Sequence, residues 1–192
     1  MKTLSFLLLA SVLVFASACN SNNADSGKEN TQAEAIEKTV QAPATDLHTA
    51  TFLGDMDAIN QHIAAGSDLN VKEPTMGSTP LISAAVFGKT EVARALIEAG
   101  ADVNLQNNEG TTALHSAAFL CRTEIVEMLL ANGAEKNLQN IYGSTPLASV
   151  SGPFSEVKEI YDEFSKNLGP LGLKLDYDQI EKTRPIIADM LR

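Results

Sequence analysis

A segment that recurs every 33 residues constrains the fold of this chain more than any other feature of its sequence. One copy reads Thr-Pro-Leu-Ile-Ser-Ala-Ala from Thr79, the next reads Thr-Ala-Leu-His-Ser-Ala-Ala from Thr112, and another begins Thr-Pro-Leu at Thr145. A small residue followed by Gly-Ala keeps the same spacing, at Gly100 and again at Gly133. Repetition at this period indicates a row of similar supersecondary units instead of one irregular globule.

Each unit predicts two short antiparallel helices. Thr79 is a good N-cap, and Pro80 then occupies the first helical position, where a missing N–H costs nothing. Gly88 is expected to end this helix, Thr90 to cap the second, and Gly100 to end that one in a left-handed conformation. A unit of this size cannot bury its apolar faces alone. The units are therefore expected to stack, with pairs of alanines allowing close approach between neighbours.

The pattern extends to about four units. A degenerate first unit begins at Asp46. Asp46 is predicted to cap the first helix of this unit, and Asp55 is predicted to cap the second. The fourth unit departs from the pattern, and its second helix is expected over residues 155–166. Residues 178–192 have a helical period that places Ile180, Ile187 and Leu191 on one face, and Pro185 is expected to split this helix. This last segment is predicted to cap the row.

The copies of Thr-Pro-Leu or Thr-Ala-Leu-His, the Ala-Ala pair and the Gly-Ala step at this period resemble the ankyrin repeat, with its Thr-Pro-Leu-His box, over about residues 45–166. The resemblance implies an all-α fold, an ankyrin-repeat solenoid of about four helix-turn-helix repeats with a C-terminal helical cap. It also implies a scaffold that binds another protein through its hairpin tips and the first helix of each repeat, along a concave groove.

The first residues form an export signal. Lys2 provides a positive start, residues 4–15 are an apolar run, and Ala-Ser-Ala at 16–18 suits cleavage. Twelve helical residues rise only about 18 Å, too little to cross a bilayer core of roughly 30 Å. Small residues before Cys19 resemble the processing motif of bacterial lipoproteins, although Ala16 stands where that motif usually has Leu. The alternative is ordinary secretory cleavage that leaves Cys19 as the mature N-terminus.

The resemblance to lipoproteins implies a lipid on Cys19, and Asn20 in place of Asp implies sorting to the outer membrane, facing the periplasm. The polar segment that follows cannot bury enough apolar surface to offset its ordering entropy. The predicted domains are a signal peptide at 1–18, a disordered tether at 19–43, ankyrin repeats at 44–166 and capping helices at 167–192.

Charge argues against nucleic acid and anionic membranes as partners, and cysteine content argues against an intrachain disulfide. The net charge is −10, whereas nucleic acids and anionic bilayers require clustered Lys and Arg. We therefore expect a protein partner, no nucleic acid, and membrane contact only through the lipid anchor. Only Cys19 and Cys121 occur, so an acylated Cys19 leaves no intrachain disulfide. The chain is expected to be monomeric.

No enzyme motif is present, so the chain is predicted to be neither an enzyme nor a cofactor- or metal-binding protein. His48 and His115 occupy the fourth place of the box, where the resemblance implies structural hydrogen bonds between repeats. His62 lacks ligand-type neighbours and is expected to be solvated. Cys121 takes the place of Gly88, a left-handed position, either as a redox-active thiol or through drift tolerated by a stable stack.

Placing the sequence on the ankyrin pattern predicts a partner-binding surface of hairpin tips and of apolar pairs that follow each Ala-Ala pair or its counterpart. One residue of each pair is expected to face the groove, in a contiguous exposed strip. The alternative is that one member packs against the next repeat. The predicted contact residues are Phe52, Leu53, Met76, Val86, Phe87, Asn108, Glu109, Phe119, Leu120, Ile141 and Tyr142.

The predicted function is that of an interaction scaffold in the bacterial cell envelope. The alternative function is protection of the envelope against oxidative stress, through the thiol of Cys121 or by chaperoning a redox enzyme.

Overall fold

The structure is a computed structural model that describes residues 41–192, and within them every regular element is a helix. The α-helices are α1 (Leu47–Leu53), α2 (Met56–Ala64), α3 (Pro80–Phe87), α4 (Thr90–Glu98), α5 (Ala113–Phe119), α6 (Thr123–Ala131), α7 (Ala148–Ser151), α8 (Phe154–Leu168) and α9 (Tyr177–Leu191), with a 3₁₀ turn over Gly169–Leu171. None of these helices has the length and apolar character needed to span a bilayer. The all-α prediction is confirmed. The predicted signal peptide, Cys19 and most of the tether lie outside the described residues.

The helices form two rows that pack on each other. The first row consists of α1, α3, α5 and α7, in which each helix contacts the next, and the second row consists of α2, α4, α6 and α9. Alanine pairs in the first row, Ala84-Ala85 and Ala117-Ala118, are completely buried. Their small side chains let neighbouring helices approach closely, so the core runs continuously through the row and no single repeat contains it.

The predicted caps start the helices. Asp46, Asp55 and Thr79 each accept a hydrogen bond from the backbone N–H three residues later, at 3.0, 3.1 and 3.3 Å. The prediction for Thr90 is wrong, because Thr90 is the first residue of α4 and the N-cap, Lys89, makes no capping bond with its side chain.

The fourth repeat departs from the sequence-based assignment. The sequence predicts that residues 155–166 provide its second helix, but α9 takes that position and packs on α7 and α6. Helix α8 is an insertion in the chain between α7 and α9. The reason lies in the buried faces. Helix α9 offers Ile187, Ala188 and Leu191 to the main core, whereas α8 buries only Tyr161 completely and packs its aromatic face in a separate, smaller cluster.

Helix α9 is continuous through Pro185, contrary to the expectation of a break. A proline inside a helix leaves the carbonyl four residues earlier, here that of Glu181, without its usual donor. Both residues lie on the exposed side of α9, where water can take the place of the missing N–H. The buried residues Ile180, Ile187 and Leu191 lie on the opposite side, as predicted.

Candidate partner-binding surface

The segments that join each second-row helix to the next first-row helix form hairpins whose turns are held by side chains. Asn140 accepts hydrogen bonds from the backbone N–H groups of Tyr142 and Ser144, both at 3.0 Å, and Asn107 does the same one repeat earlier. In the first hairpin the corresponding position is a proline, and the carboxylate of the preceding residue, Glu73, takes over this role.

The carboxylate of Glu73 accepts hydrogen bonds from the N–H groups of Thr75 and Met76 at 2.7 Å and of Ser78 at 3.1 Å. Burial acts to raise the pKa of Glu73, but these donors outweigh it and leave the pKa below its ordinary value. The first turn is therefore fixed by an ionised side chain.

Successive hairpin tips are joined to each other. The N–H of Asn108 donates to the carbonyl of Met76, and the N–H of Ile141 donates to the carbonyl of Glu109, both at 2.9 Å. Further along the hairpins, the side chain of Asn70 accepts from the N–H of Asp102 at 2.9 Å. These bonds hold the tips in a rigid row, in which the side chains are positioned before any partner arrives.

The predicted tip residues lie along this row. Large apolar side chains are exposed at Met76 (42%), Ile141 (65%) and Tyr142 (74%). Asn108 is exposed and Glu109 is half-buried between them. The structure therefore brings the five predicted tip residues together on one edge.

The predicted apolar pairs of the first two repeats are partly open. The rings of Phe52 and Phe87 meet edge to face with centroids 4.9 Å apart, and both side chains are half-buried. Leu53 is 62% exposed, while Val86 packs against a second, smaller core that includes Leu120. The pairs thus join neighbouring repeats and still present apolar surface.

The prediction of a contiguous exposed strip is wrong at the third repeat. Leu120 is buried at 2% exposure, and the ring of Phe119 lies against Tyr161 and Phe164 at centroid distances of 4.4 and 5.4 Å. Helix α8 covers this part of the first row, because its aromatic residues Phe154, Tyr161 and Phe164 share one face. Their spacing of seven and three residues was the signal in the sequence that could have revealed this contact.

Sequence reasoning also missed Arg184, which is 2% exposed. Its guanidinium donates to the carbonyls of Ser149 and Gly152, both at 3.0 Å, and to the hydroxyl of Tyr161 at 3.1 Å. It lies beside a cavity of about 280 Å³. The arginine therefore ties α9 to the end of α7 and to α8, a contact that no local pattern in the sequence indicates.

Comparison with known proteins agrees with this geometry. Residues 47–140 match the family described as ankyrin repeats in three copies. These residues are ankyrin repeats. The fold is also similar to the crystal structure of the ankyrin repeat domain of Bcl-3, described as a unique member of the IkappaB protein family, with a TM-score of 0.52 and 30% identity over 54% of this chain and 45% of that one.

Three curated relatives share the ankyrin segment. Inversin of Gallus gallus is 39% identical over 61 residues, the DNA-binding protein RFXANK of Homo sapiens is 37% identical over 71, and Protein PhlB of Serratia liquefaciens is 41% identical over 64. The matches cover 32%, 35% and 33% of this chain, and 6%, 27% and 28% of those proteins. The chain therefore spans less than a third of the length of each of these relatives.

The two histidines of the ankyrin box behave differently. His115 lies within 2.8 Å of the Thr112 hydroxyl and 3.1 Å of the Ser144 carbonyl in the next hairpin, so its predicted structural role is confirmed. Burial lowers the pKa of His115, although bonds to backbone carbonyls act in the opposite direction. The prediction for His48 is wrong, because its two buried ring nitrogens have no hydrogen-bond partner among residues 41–192. The unit that contains it is one residue longer than the others.

The expectation of a solvated His62 is also wrong. Its side chain is 7% exposed, with one ring nitrogen 2.8 Å from the carbonyl of Thr45 and the other 3.0 Å from the hydroxyl of Ser67. Both nitrogens are thus used to attach the segment before α1 to the end of α2.

Cys121 has the predicted left-handed backbone, with φ of 55°. Burial raises the pKa of its thiol to about 11, although Arg184 and Arg122 act to lower it. The sulfur lies 3.7 Å from the carbonyl of Ile180. A thiol that stays protonated near neutral pH is a poor nucleophile, so its surroundings do not favour the redox alternative.

Within residues 41–192, no group of three or more His, Cys, Asp or Glu side chains is arranged to hold a metal ion.

Proposed function

We propose that this chain is a protein-binding module of the bacterial cell envelope, exported and attached through a lipid on Cys19, which holds a partner protein along its hairpin tips. The observation that carries the proposal is the exposure of Met76, Ile141 and Tyr142 on tips that are hydrogen-bonded to one another. Ankyrin repeats generally act as protein-binding modules, which supports the same reading.

The tips suit protein recognition for two physical reasons. Large apolar and aromatic side chains supply contact area with few rotatable bonds, and such residues are enriched in interfaces. The tips are also held in place before binding, so less conformational entropy is lost when a partner docks.

The first-row helices add apolar area, and the charged group against them at Gly54 is the side chain of Lys89, which precedes α4. Helices α1, α3 and α5 contain no Asp, Glu, Lys or Arg. Phe52, Leu53 and Phe87 provide apolar surface here, whereas Phe119 and Leu120 are covered by α8. The proposed contact area therefore runs along all the tips but extends onto only the first two repeats of the first row.

Export is proposed from the sequence before residue 20. The basic start at Lys2, the apolar run at 4–15 and the small residues before Cys19 support it. The outer membrane, facing the periplasm, is the proposed location, and the chain is proposed to act as a monomer.

Capture from the source cells tests the binding surface. The tagged full chain is cross-linked in place and purified, and the captured proteins are compared with those of an Ile141→Ser, Tyr142→Ser variant. A matched control carries Ile160→Ser and Ile186→Ser, which also remove exposed side chains (45% and 54%) but lie in α8 and α9. We expect the partner to be lost from the tip variant and retained by the control. Equal capture by both variants would refute the proposal.

The anchor is tested separately. Cells are grown with radioactive palmitate, and the wild-type chain is compared with a Cys19→Ala variant. We expect label in the membrane-associated wild type and none in the variant. An unlabelled wild-type chain in the soluble fraction would instead show ordinary secretory cleavage.

A further inference from the structure

Three kinds of hydrogen bond join neighbouring hairpins, of which the first and third occur at both junctions and the second only between the second and third hairpins. The first is the backbone bond between tips, to the carbonyls of Met76 and Glu109. The second uses Gln106, whose side-chain amide donates to the carbonyl of Gln139 at 3.1 Å. The third is a bond to an asparagine side-chain oxygen. Asn70 accepts the N–H of Asp102 at 2.9 Å, and the equivalent Asn104 accepts the N–H of Glu135 at 2.8 Å.

The third hairpin, between α6 and α7, carries the same groups, but nothing within residues 41–192 pairs with them. The carbonyl of Tyr142 is the counterpart of those of Met76 and Glu109, and no N–H donates to it. The side chains of Asn137 and Gln139 are exposed and make none of the corresponding bonds. Among the described residues, the hairpin row therefore ends in an open face that has the polar groups of a repeat-to-repeat contact.

At the opposite end of the row the tip donor is already used. The N–H of Thr75, which corresponds to the donors Asn108 and Ile141, is already bound to the carboxylate of Glu73 at 2.7 Å. That carboxylate also accepts from Met76 and Ser78. The first hairpin of a second copy thus has no free tip donor for the carbonyl of Tyr142, so head-to-tail stacking that repeats the tip bond is disfavoured.

Terminal repeats usually present a polar surface to water. Here the open face instead carries Ile141 and Tyr142, the two most exposed large apolar side chains of the described residues. An unpaired backbone edge flanked by apolar side chains is a template for pairing with another chain.

We propose that the open face of the third hairpin, formed by Asn137, Gln139, Ile141 and Tyr142, binds a hairpin-like loop of the partner protein. The loop donates a backbone N–H to the carbonyl of Tyr142 and packs an apolar side chain on Ile141 and Tyr142, which continues the contact made twice within the chain. This inference rests on the proposed function of the tips and adds which end of the row is used. The hydrogen bond to Tyr142 replaces one to water, so it adds little net affinity and mainly sets the register of the loop. The apolar contact supplies most of the affinity.

Selective isotope labelling can observe the proposed acceptor directly. Tyr142-Gly143 and Met76-Gly77 are the only Tyr-Gly and Met-Gly steps in the sequence. The full chain labelled with carbonyl ¹³C in Tyr and Met and with ¹⁵N in Gly gives one HNCO signal for each step. The probe is an unlabelled cyclic peptide with the sequence of residues 137–146, which carries the N–H that Ile141 donates within the chain.

We expect the peptide to move the Tyr142 carbonyl signal in a saturable titration and to leave the Met76 signal in place, because the carbonyl of Met76 is already occupied. A matched peptide with an N-methyl group at the Ile141 position has no donor and is expected to leave the Tyr142 signal unmoved. Movement of both signals, of neither, or an equal response to the methylated peptide would overturn the inference.

The two proposals fail in different ways. If the Ile141→Ser, Tyr142→Ser chain loses its partner but the peptide does not move the Tyr142 signal, the tips bind by another geometry and only this inference falls. If the tip variant keeps its partner as well as its control does, the proposed function falls with it.

Discussion

The ring of Phe119 stacks on the ring of Tyr161, with centroids 4.4 Å apart and planes 2° from parallel, and the Tyr161 hydroxyl donates to the backbone carbonyl of Phe119. One residue belongs to a first-row helix of the ankyrin repeats and the other to the inserted helix α8. This contact makes α8 part of the folded domain and removes Phe119 from the surface available to a partner.

Phe119→Ala is expected to destabilise the domain more than Phe87→Ala. Removing a ring packed between Tyr161 and Phe164 leaves a cavity and should lower the free energy of unfolding by about 3 kcal/mol. Phe87 has a single ring neighbour, Phe52, and its loss should cost about 1 kcal/mol. Urea denaturation of both variants measures the difference. Equal losses would show that α8 does not protect Phe119 in solution.

Arg184→Lys is expected to lower the free energy of unfolding by about 3 kcal/mol. An ammonium group cannot reproduce the planar fork that reaches the carbonyls of Ser149 and Gly152 and the hydroxyl of Tyr161, so buried acceptors lose their donors. Arg192→Lys is the matched control. Arg192 is exposed and pairs with Asp189 on the surface, so its replacement should change stability by no more than about 0.5 kcal/mol. Thermal unfolding of the two variants should separate them clearly.

Cys121→Gly is expected to raise the melting temperature and to leave partner capture intact. The left-handed backbone at this position disfavours any side chain by about 1 kcal/mol, and glycine removes that cost. Cys121→Ala retains the β-carbon and therefore the strain, and it also loses the contacts of the sulfur. Calorimetry should place the alanine variant at or below the wild type. A glycine variant that melts no higher than the alanine variant would contradict the strain argument.

Acidification is expected to weaken the domain through His115. Because burial lowers its pKa below 6.5 in the folded state, the unfolded chain takes up the proton first as the pH falls. The stability that neutral His115 contributes is complete above pH 6.5 and is lost as the pH falls below that value. Denaturation at pH 7.5 and 5.5 should show a larger loss for the wild type than for His115→Gln. The same loss in both proteins would assign the effect to other groups.

The repeats could be predicted from the sequence because their signals are local. The side chains of Asp46, Asp55 and Thr79 cap helices through N–H groups three residues away, and Gly88 and Gly100 have the positive φ that their positions require. A period of 33 residues then aligns the units from Thr79 onward, and the first unit aligns with them when one extra residue is allowed. The tip residues followed from the same alignment.

The surface of the third repeat could not be predicted in the same way. Phe119 reads as an exposed residue when it is aligned with Phe87, and only the path of α8 covers it. Arg184 is joined to Ser149 across 35 residues, and no periodic signal connects the two positions. Contacts of this kind depend on how an insertion folds back on the row.

The amino-acid sequence by itself determined the two-helix unit, its number of copies and the order in which the copies stack, because caps, turns and small residues act within one period. Tertiary structure alone decided that α9 completes the fourth repeat while α8 covers Phe119. Two helices of equal length competed for one place, and the aliphatic face of α9 matches the main core better than the aromatic face of α8.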